Sequence, residues 1–184
     1  MSARALPPPE DLQDLARRVT ALEHAQPVDQ VALMVFSGSL DRLLCALMLA
    51  TSAAASGSKV EMFFSFWAVA ALRDTKKTGK TDIWGKLFGW MLPRGPGQLQ
   101  LSTMNVGGAG PLMLRKMMAR NRVASVEELL TVAAESGVHI AVCETSRRIM
   151  GIPAEELTDY PGLEVCGAST FLERAARSRV SLLV

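Results

Sequence analysis

The feature that most constrains the fold is a series of short, mostly apolar runs that alternate with helical patterns. The runs occupy residues 31–36, 59–64 and 138–142, with shorter ones at 163–166 and 180–184. Runs of this length without regular polar alternation are typical of strands that are buried on both faces of a sheet. Strands that alternate with helices predict an α/β domain with a parallel sheet, right-handed crossovers and helices on both faces.

Helix signals separate these runs. Apolar spacing predicts a helix over residues 40–55, and Ser39 precedes it as an N-cap. Ser125 stands three residues before Glu128, a capping-box pattern that predicts the start of a second helix. Further helices are predicted over residues 143–150 and 169–177.

Residues 1–29 are predicted to form an arm that precedes the domain at residues 30–184. Three prolines at positions 7–9 favour an extended lead-in. A short amphipathic helix is then predicted from apolar residues at 3-4-3 spacing, namely Leu12, Leu15, Val19 and Leu22. Its apolar stripe either docks on the domain or pairs between subunits, and the pattern fits both.

A long insert at residues 75–121 interrupts the alternation of strands and helices. It is rich in Gly, Pro and Met, and short helices are predicted at 83–92 and 112–120. Between Arg73 and Arg122 the net charge is +8, whereas the whole chain carries +2. Such a segment attracts acidic proteins or anionic membrane surfaces, and the alternative is a solvated basic face.

Composition excludes several classes of function. The three cysteines show no CxxC spacing and there are two histidines, which argues against a disulfide framework and a zinc site. No apolar segment is long enough to span a bilayer and no signal segment is evident, so we expect a cytoplasmic protein. The glycines at 107, 108 and 110 fit neither nucleotide-binding motif, so no cofactor is expected. No nucleic acid is expected, because burial against another subunit explains Trp84, Phe88 and Trp90 beside Lys86 better than stacking on bases does.

Cys143 is the strongest candidate for chemistry. It ends the predicted strand 138–142 and starts a helix, so its sulfur should lie at the carboxyl edge of the sheet near unpaired N–H groups. Such donors, with Arg147 and Arg148 nearby, would stabilise a thiolate. The alternative is a small buried core residue. Cys166 also ends a strand and would be a resolving thiol if that strand lies beside the strand of Cys143, although a packed, inert thiol is the favoured interpretation. Cys45 is predicted to be core.

Four segments in the same order resemble the DsrE/DsrF-like family of sulfur-relay proteins, in its longer subclass with a basic, Met- and Gly-rich insert. They are residues 37–41 (SGSLD), 62–67 (MFFSFW), 92–96 (LPRGP) and 143–152 (CETSRRIMGI). The resemblance covers about residues 31–184. It implies a flavodoxin-like parallel sheet of about five strands, a homo-oligomer and a persulfide on Cys143. It also implies a rhodanese-like donor and a small TusA-like carrier as partners.

The sequence departs from the family pattern just after the cysteine. That pattern reads roughly Cys-x-Met-Ser-Met-Asp-x-Met-Gly, and this chain keeps Cys143, Ser146, Met150 and Gly151. Thr145, Arg147 and Arg148 stand at the other positions. An acid replaced by Arg148 makes the site more cationic, which favours a thiolate and an anionic sulfur donor such as thiosulfate, or a different choice of partner.

Three functional hypotheses follow. The first is a sulfur carrier or sulfurtransferase with Cys143 as the persulfide nucleophile, supported by Ser146, Arg147 and Arg148. The second is a non-enzymatic oligomeric module, peripheral to a membrane, in which Cys143 is inert and the insert binds anionic surfaces. The third is a thiol oxidoreductase that uses Cys143 and Cys166.

Overall fold

The computed structural model describes residues 12–25, 28–77, 79, 87 and 89–184. Within these residues five strands form one parallel sheet in the order β4-β3-β2-β1-β5. The strands are β1 (Val28–Val35), β2 (Lys59–Phe64), β3 (His139–Cys143), β4 (Glu164–Cys166) and β5 (Ser178–Leu183). In flavodoxin the order is 2-1-3-4-5. Here the last strand occupies the edge position beside β1 that the second strand occupies there, and the predicted flavodoxin-like α/β fold is confirmed.

Helices connect and flank the strands. They are α1 (Leu12–Ala25), α2 (Leu40–Ala55), α3 (Ala109–Arg120), α4 (Val126–Glu135), α5 (Glu144–Ile149) and α6 (Ala168–Arg177), with a 3-10 segment at Phe66–Leu72. The predicted capping box starts α4: Ser125 N–H donates to the Glu128 carboxylate at 2.7 Å, and Glu128 N–H donates to the Ser125 hydroxyl at 3.2 Å.

The sheet separates two cores of unequal size. From β1 to β4, each strand lies on the same side of the strand before it. Right-handed crossovers therefore place α2 and α4 on one face of the sheet. The connection from β4 to β5 runs back across the sheet in the opposite direction and places α6 on the other face. Leu33, Met62 and Ile140 face the large core beneath α2 and α4. The small core beneath α6 comprises Ala32, Phe63, Ala141, Cys143, Cys166 and Phe171. Helices on both faces were predicted, and this arrangement places Cys143 in the small core.

A buried ion pair between Arg73 and Glu156, which flank the insert in sequence, holds two backbone groups of the insert against the domain. The Arg73 guanidinium donates to Glu156 Oε2 at 2.6 and 3.1 Å and to the Gly89 carbonyl at 2.8 Å. The other oxygen of Glu156 accepts from the Gly79 N–H at 3.1 Å. Leu99 from the insert is fully buried in the large core. The insert therefore contributes to the core of the domain as well as to its surface.

Some predictions differ from the structure. Cys45 is exposed rather than core, because the 3.6-residue period of α2 turns Leu44 and Leu47 toward the sheet and Cys45 away from it. Half of the helix predicted at 83–92 falls outside the described residues, and Leu87, Gly89, Trp90 and Met91 are helical. No helix among the residues described has the length and apolar character needed to cross a bilayer.

Candidate functional site

Cys143 occupies the junction between β3 and α5. It is the last residue of the strand and the N-cap of the helix, with an extended backbone at φ −65° and ψ 115°. Its side chain is 6% exposed. Carboxyl ends of parallel strands meet at one edge of a sheet, so residues that follow β1 and β2 lie at the same edge as this thiol.

Two buried serines complete the surroundings of the sulfur. Ser65 directly follows β2, and its N–H donates to the Val35 carbonyl at 2.9 Å, which fixes it between the ends of β1 and β2. Ser146 lies in the first turn of α5, and its hydroxyl oxygen is 2.9 Å from that of Ser65. Each hydroxyl has one hydrogen. The two serines therefore either form a relay that ends at the Cys143 sulfur or both donate to it.

Hydrogen bonds outweigh burial in setting the acidity of this thiol. Burial raises the pKa of Cys143, whereas the hydrogen-bond donors around it lower the pKa: the Ser146 hydroxyl and N–H, the Ser65 hydroxyl and the Thr145 N–H. Together they hold the pKa of Cys143 below its ordinary value, since donors stabilise the charged form. A lowered pKa raises the fraction of thiolate, which is the nucleophile and the better leaving group.

The two arginines that follow in α5 have other partners in this structure. Arg147 Nη1 donates to the Ile152 carbonyl at 2.7 Å, and its buried Nε has no partner among the residues described. Arg148 is exposed and pairs with Glu144 at 3.1 Å, one turn back along the helix. The donors that lower the pKa of Cys143 include Ser146 and Ser65. The supporting roles assigned to Arg147 and Arg148 remain a prediction.

Cys166 lies beside Cys143. The two are paired in register across β3 and β4, and both belong to the small core beneath Phe171. Cys166 is 9% exposed. Burial, and then the charge of Glu164, raise the pKa of Cys166, so this thiol stays protonated at a pH where Cys143 ionises. The condition set for a resolving thiol, a strand adjacent to that of Cys143, is met.

A charged network clamps α6 over these two thiols. Arg174 of α6 donates to Glu61 at 2.6 Å and to Glu164 at 2.8 Å, and His139 Nδ1 lies 2.8 Å from Glu61. Phe171 of the same helix stacks on Phe63 with ring centroids 4.7 Å apart. Sequence analysis did not identify this network, because its members are distant in sequence. The network holds β2, β4 and α6 together around the small core.

Three aromatic residues that follow β1 and β2 line the same edge as Cys143. We call Phe36, Phe66 and Trp67 the aromatic rim; all three are partly exposed, Trp67 by 50%. Phe36 and Phe66 meet edge to face at 6.3 Å. Gly38 allows the close approach of Trp67, because a Cβ at Gly38 would lie 2.5 Å from the Trp67 carbonyl oxygen. The rim gives this edge an apolar surface that sequence analysis did not assign to the site.

Comparison with known proteins agrees with this fold. Residues 27–183 match the DsrE/DsrF/DrsH-like family. The chain is 31% identical over 156 residues to the Bacillus subtilis protein named "Uncharacterized protein YrkE", covering 84% of this chain and 96% of that protein. It is 29% identical over 159 residues to "Sulfur carrier protein DsrE2" of Allochromatium vinosum, covering 84% of this chain and 98% of that protein. The match extends over nearly the whole sheet, and the chain belongs to the DsrE/DsrF/DrsH-like family.

Proposed function

We propose that this protein is a cytoplasmic sulfur carrier or sulfurtransferase that holds sulfane sulfur as a persulfide on Cys143 and passes it to a partner protein. The observation that carries the proposal is the position of Cys143 at the carboxyl end of β3, where the donors of Ser146 and Ser65 hold the pKa of its thiol below the ordinary value. Family membership and the name of the DsrE2 relative agree with a place in a sulfur relay.

Loading consists of one nucleophilic displacement. The Cys143 thiolate attacks the outer sulfur of a donor persulfide, a new S–S bond forms on Cys143, and the donor departs as its thiolate. With thiosulfate the same attack takes the sulfane sulfur and releases sulfite. We assign the exposed Arg148, five residues after Cys143, to bind such an anionic donor once its pairing with Glu144 is exchanged.

Unloading is the same reaction with the roles reversed. An acceptor thiolate attacks the outer sulfur, and Cys143 departs as a thiolate that takes back the hydrogen bonds of Ser146 and Ser65. A thiol with a lowered pKa leaves faster. The donors that assist loading therefore also assist delivery, as a carrier requires.

We expect partners to dock at the aromatic rim, because it lines the same edge of the sheet as Cys143. The thiol is almost fully covered, so a donor or acceptor must approach this edge closely. We assign these roles to a rhodanese-like donor and a small TusA-like carrier, and we propose a homo-oligomer. The exposed apolar side chains of β5, among them Leu182 and Leu183, offer a surface for subunit contact. We also assign residues 1–29 to an arm and residues 75–121 to the insert of a longer subclass.

Intact-mass spectrometry tests the proposal. The protein is incubated with thiosulfate, with and without a rhodanese, and a gain of about 32 Da that reductant removes is expected. Cys143→Ser should show no gain. Cys45→Ser is the matched control, because it removes an exposed thiol on α2 and should load normally. Sulfur uptake that persists in Cys143→Ser, or absence of uptake with Cys143 still open to alkylation, would contradict the assignment.

A binding module is the second candidate, and one observation favours it. Trp90, Met91, Leu112 and Met113 of the insert expose large apolar surfaces in a segment that is strongly basic. Apolar and basic side chains together suit an anionic membrane surface. Flotation with anionic vesicles at low salt tests this role, with neutral vesicles as the control. Failure to float with the anionic vesicles would remove it.

A further inference from the structure

We propose that Cys166 resolves the persulfide on Cys143 by forming a Cys143–Cys166 disulfide and releasing hydrogen sulfide. This inference rests on the proposed function and adds a second activity to the same site, a sulfide-releasing discharge that needs no acceptor protein. It applies when a loaded carrier meets no partner.

The geometry of the sheet brings the Cα atoms of the two cysteines within the distance that a disulfide spans. Cys143 and Cys166 are directly paired in register on adjacent parallel strands, and their side chains share the small core. Neighbouring strands lie about 4.8 Å apart. Disulfides span Cα–Cα distances of about 4.4–6.8 Å, so the pair meets this requirement. Both residues end their strands, where the backbone adjusts more easily than in the middle of a sheet.

The strand order also sets the direction of attack. In the order β4-β3-β2, Cys166 and Ser65 lie on opposite sides of Cys143. Displacement at sulfur is in line, so a nucleophile arriving from β4 expels a leaving group toward β2. On that side the Ser65 and Ser146 hydroxyls, 2.9 Å apart, can donate to the departing hydrosulfide.

Atoms and electrons balance without an added oxidant. The Cys166 sulfur bonds to Cys143 Sγ, the bond from Cys143 Sγ to the outer sulfur breaks, and the proton of Cys166 ends on the hydrosulfide to give H₂S. The sulfane sulfur is reduced to sulfide while the two thiols are oxidised to a disulfide. A thiol reductant then regenerates the resting protein.

The environments of the two thiols divide the roles. Cys143 lies among hydrogen-bond donors, so sulfur is loaded there first. Cys166 is buried under Phe171, and its raised pKa keeps it protonated, which makes discharge slower than delivery to a docked partner. The persulfide therefore persists long enough to be transferred.

The test uses Cys45→Ser as the parent, so that the exposed thiol takes no part. The parent is loaded with thiosulfate, desalted and kept without reductant while sulfide and intact mass are followed. We expect release of about one equivalent of sulfide and a mass that moves from about 32 Da above the reduced protein to about 2 Da below it. Cys45→Ser/Cys166→Ser should load equally but keep its extra sulfur, with sulfide release at least about tenfold slower.

Equal lifetimes of the persulfide in the two proteins would overturn the inference and leave the proposed function intact. A failure of the parent to load would instead contradict the proposed function. The resolving step is then read with an aryl disulfide reagent, which caps Cys143 and releases one equivalent of aryl thiolate. A second equivalent, seen in the parent and absent from Cys45→Ser/Cys166→Ser, supports the resolving role; a single equivalent in both overturns it.

Discussion

Replacing Ser146 with alanine should weaken Cys143 as a nucleophile without displacing it. Ser146 lowers the pKa of Cys143 through two donors, its hydroxyl and its N–H. The substitution removes the hydroxyl and keeps the N–H. The Ser65 hydroxyl, which also lowers this pKa, is then free of its 2.9 Å contact with Ser146 and offsets part of the loss.

The magnitude follows from the strength of such bonds. A hydrogen bond to a charged group contributes about 1.5–3 kcal/mol, and about 1.4 kcal/mol is a factor of ten in an equilibrium constant. Because Ser65 compensates in part, we expect Ser146→Ala to reduce the thiolate fraction at neutral pH by about tenfold. Ser65→Ala/Ser146→Ala should reduce it by about a hundredfold, since no hydroxyl donor then remains.

Alkylation by iodoacetamide across a pH range measures the effect, because only the thiolate reacts. The Cys143 peptide is quantified by mass spectrometry in a Cys45→Ser background, and its pH profile should move to higher pH. Ser37→Ala is the matched control: Ser37 is a buried serine at the same sheet edge, but it bonds to Ser39 at 2.9 Å. An unmoved profile in the double variant would refute the role given to these hydroxyls.

Further predictions concern stability. Arg73→Ala should lower the free energy of unfolding in urea by about 3–5 kcal/mol, because it leaves the buried Glu156 charge unpaired. Lys77→Ala is the control: it breaks an ion pair to a largely exposed aspartate and should lower the free energy of unfolding by less than about 1 kcal/mol. Hydrogen bonds and the Arg73 charge hold the pKa of Glu156 below its ordinary value despite burial. The contribution of this carboxylate to stability is therefore complete above the ordinary carboxyl pKa and is lost as pH falls toward the folded pKa. The stability of Glu156→Gln should depend less on acid pH than that of the parent, and an identical dependence would contradict this. Phe171→Ala should lower the free energy of unfolding by about 3–5 kcal/mol and speed the alkylation of Cys166. Leu172→Ala, at an exposed neighbouring position, should change this free energy by about 0.5 kcal/mol or less. Equal effects of the two substitutions would contradict the packing assigned to Phe171.

The sheet was largely predictable because its central strands are apolar runs. The prediction of β2 matches residues Lys59–Phe64, and that of α2 matches Leu40–Ala55. The start of β1 at Val28 was missed because Asp29 and Gln30 are polar. The strand nevertheless begins before them, since Val28 pairs with β5. Local pattern thus identifies strands that are buried on both faces, whereas strand ends depend on neighbours that are distant in sequence.

The site was predictable only in part, for a similar reason. Cys143 was identified from the strand and helix patterns around it, which are local. The contribution of Ser65 was missed because it contacts Ser146 across 81 positions. One signal could have found it: Ser65 is the polar residue that ends an apolar run, so a parallel sheet places it at the edge occupied by Cys143. The arginines show that proximity in sequence does not fix a partner: Arg147 donates to the Ile152 carbonyl and Arg148 pairs with Glu144.

The separation of Ser65 from Cys143 along the chain has a consequence during synthesis. Ser65 reaches the sulfur only after β2 and β3 have paired, so an unfolded or partly synthesised chain carries a thiol of ordinary acidity. Under the proposed function, the thiolate that takes up sulfane sulfur is thus favoured only after folding. Uptake of sulfur by Cys143 would then report on the native state, and a cell that loads this protein would charge its folded copies selectively.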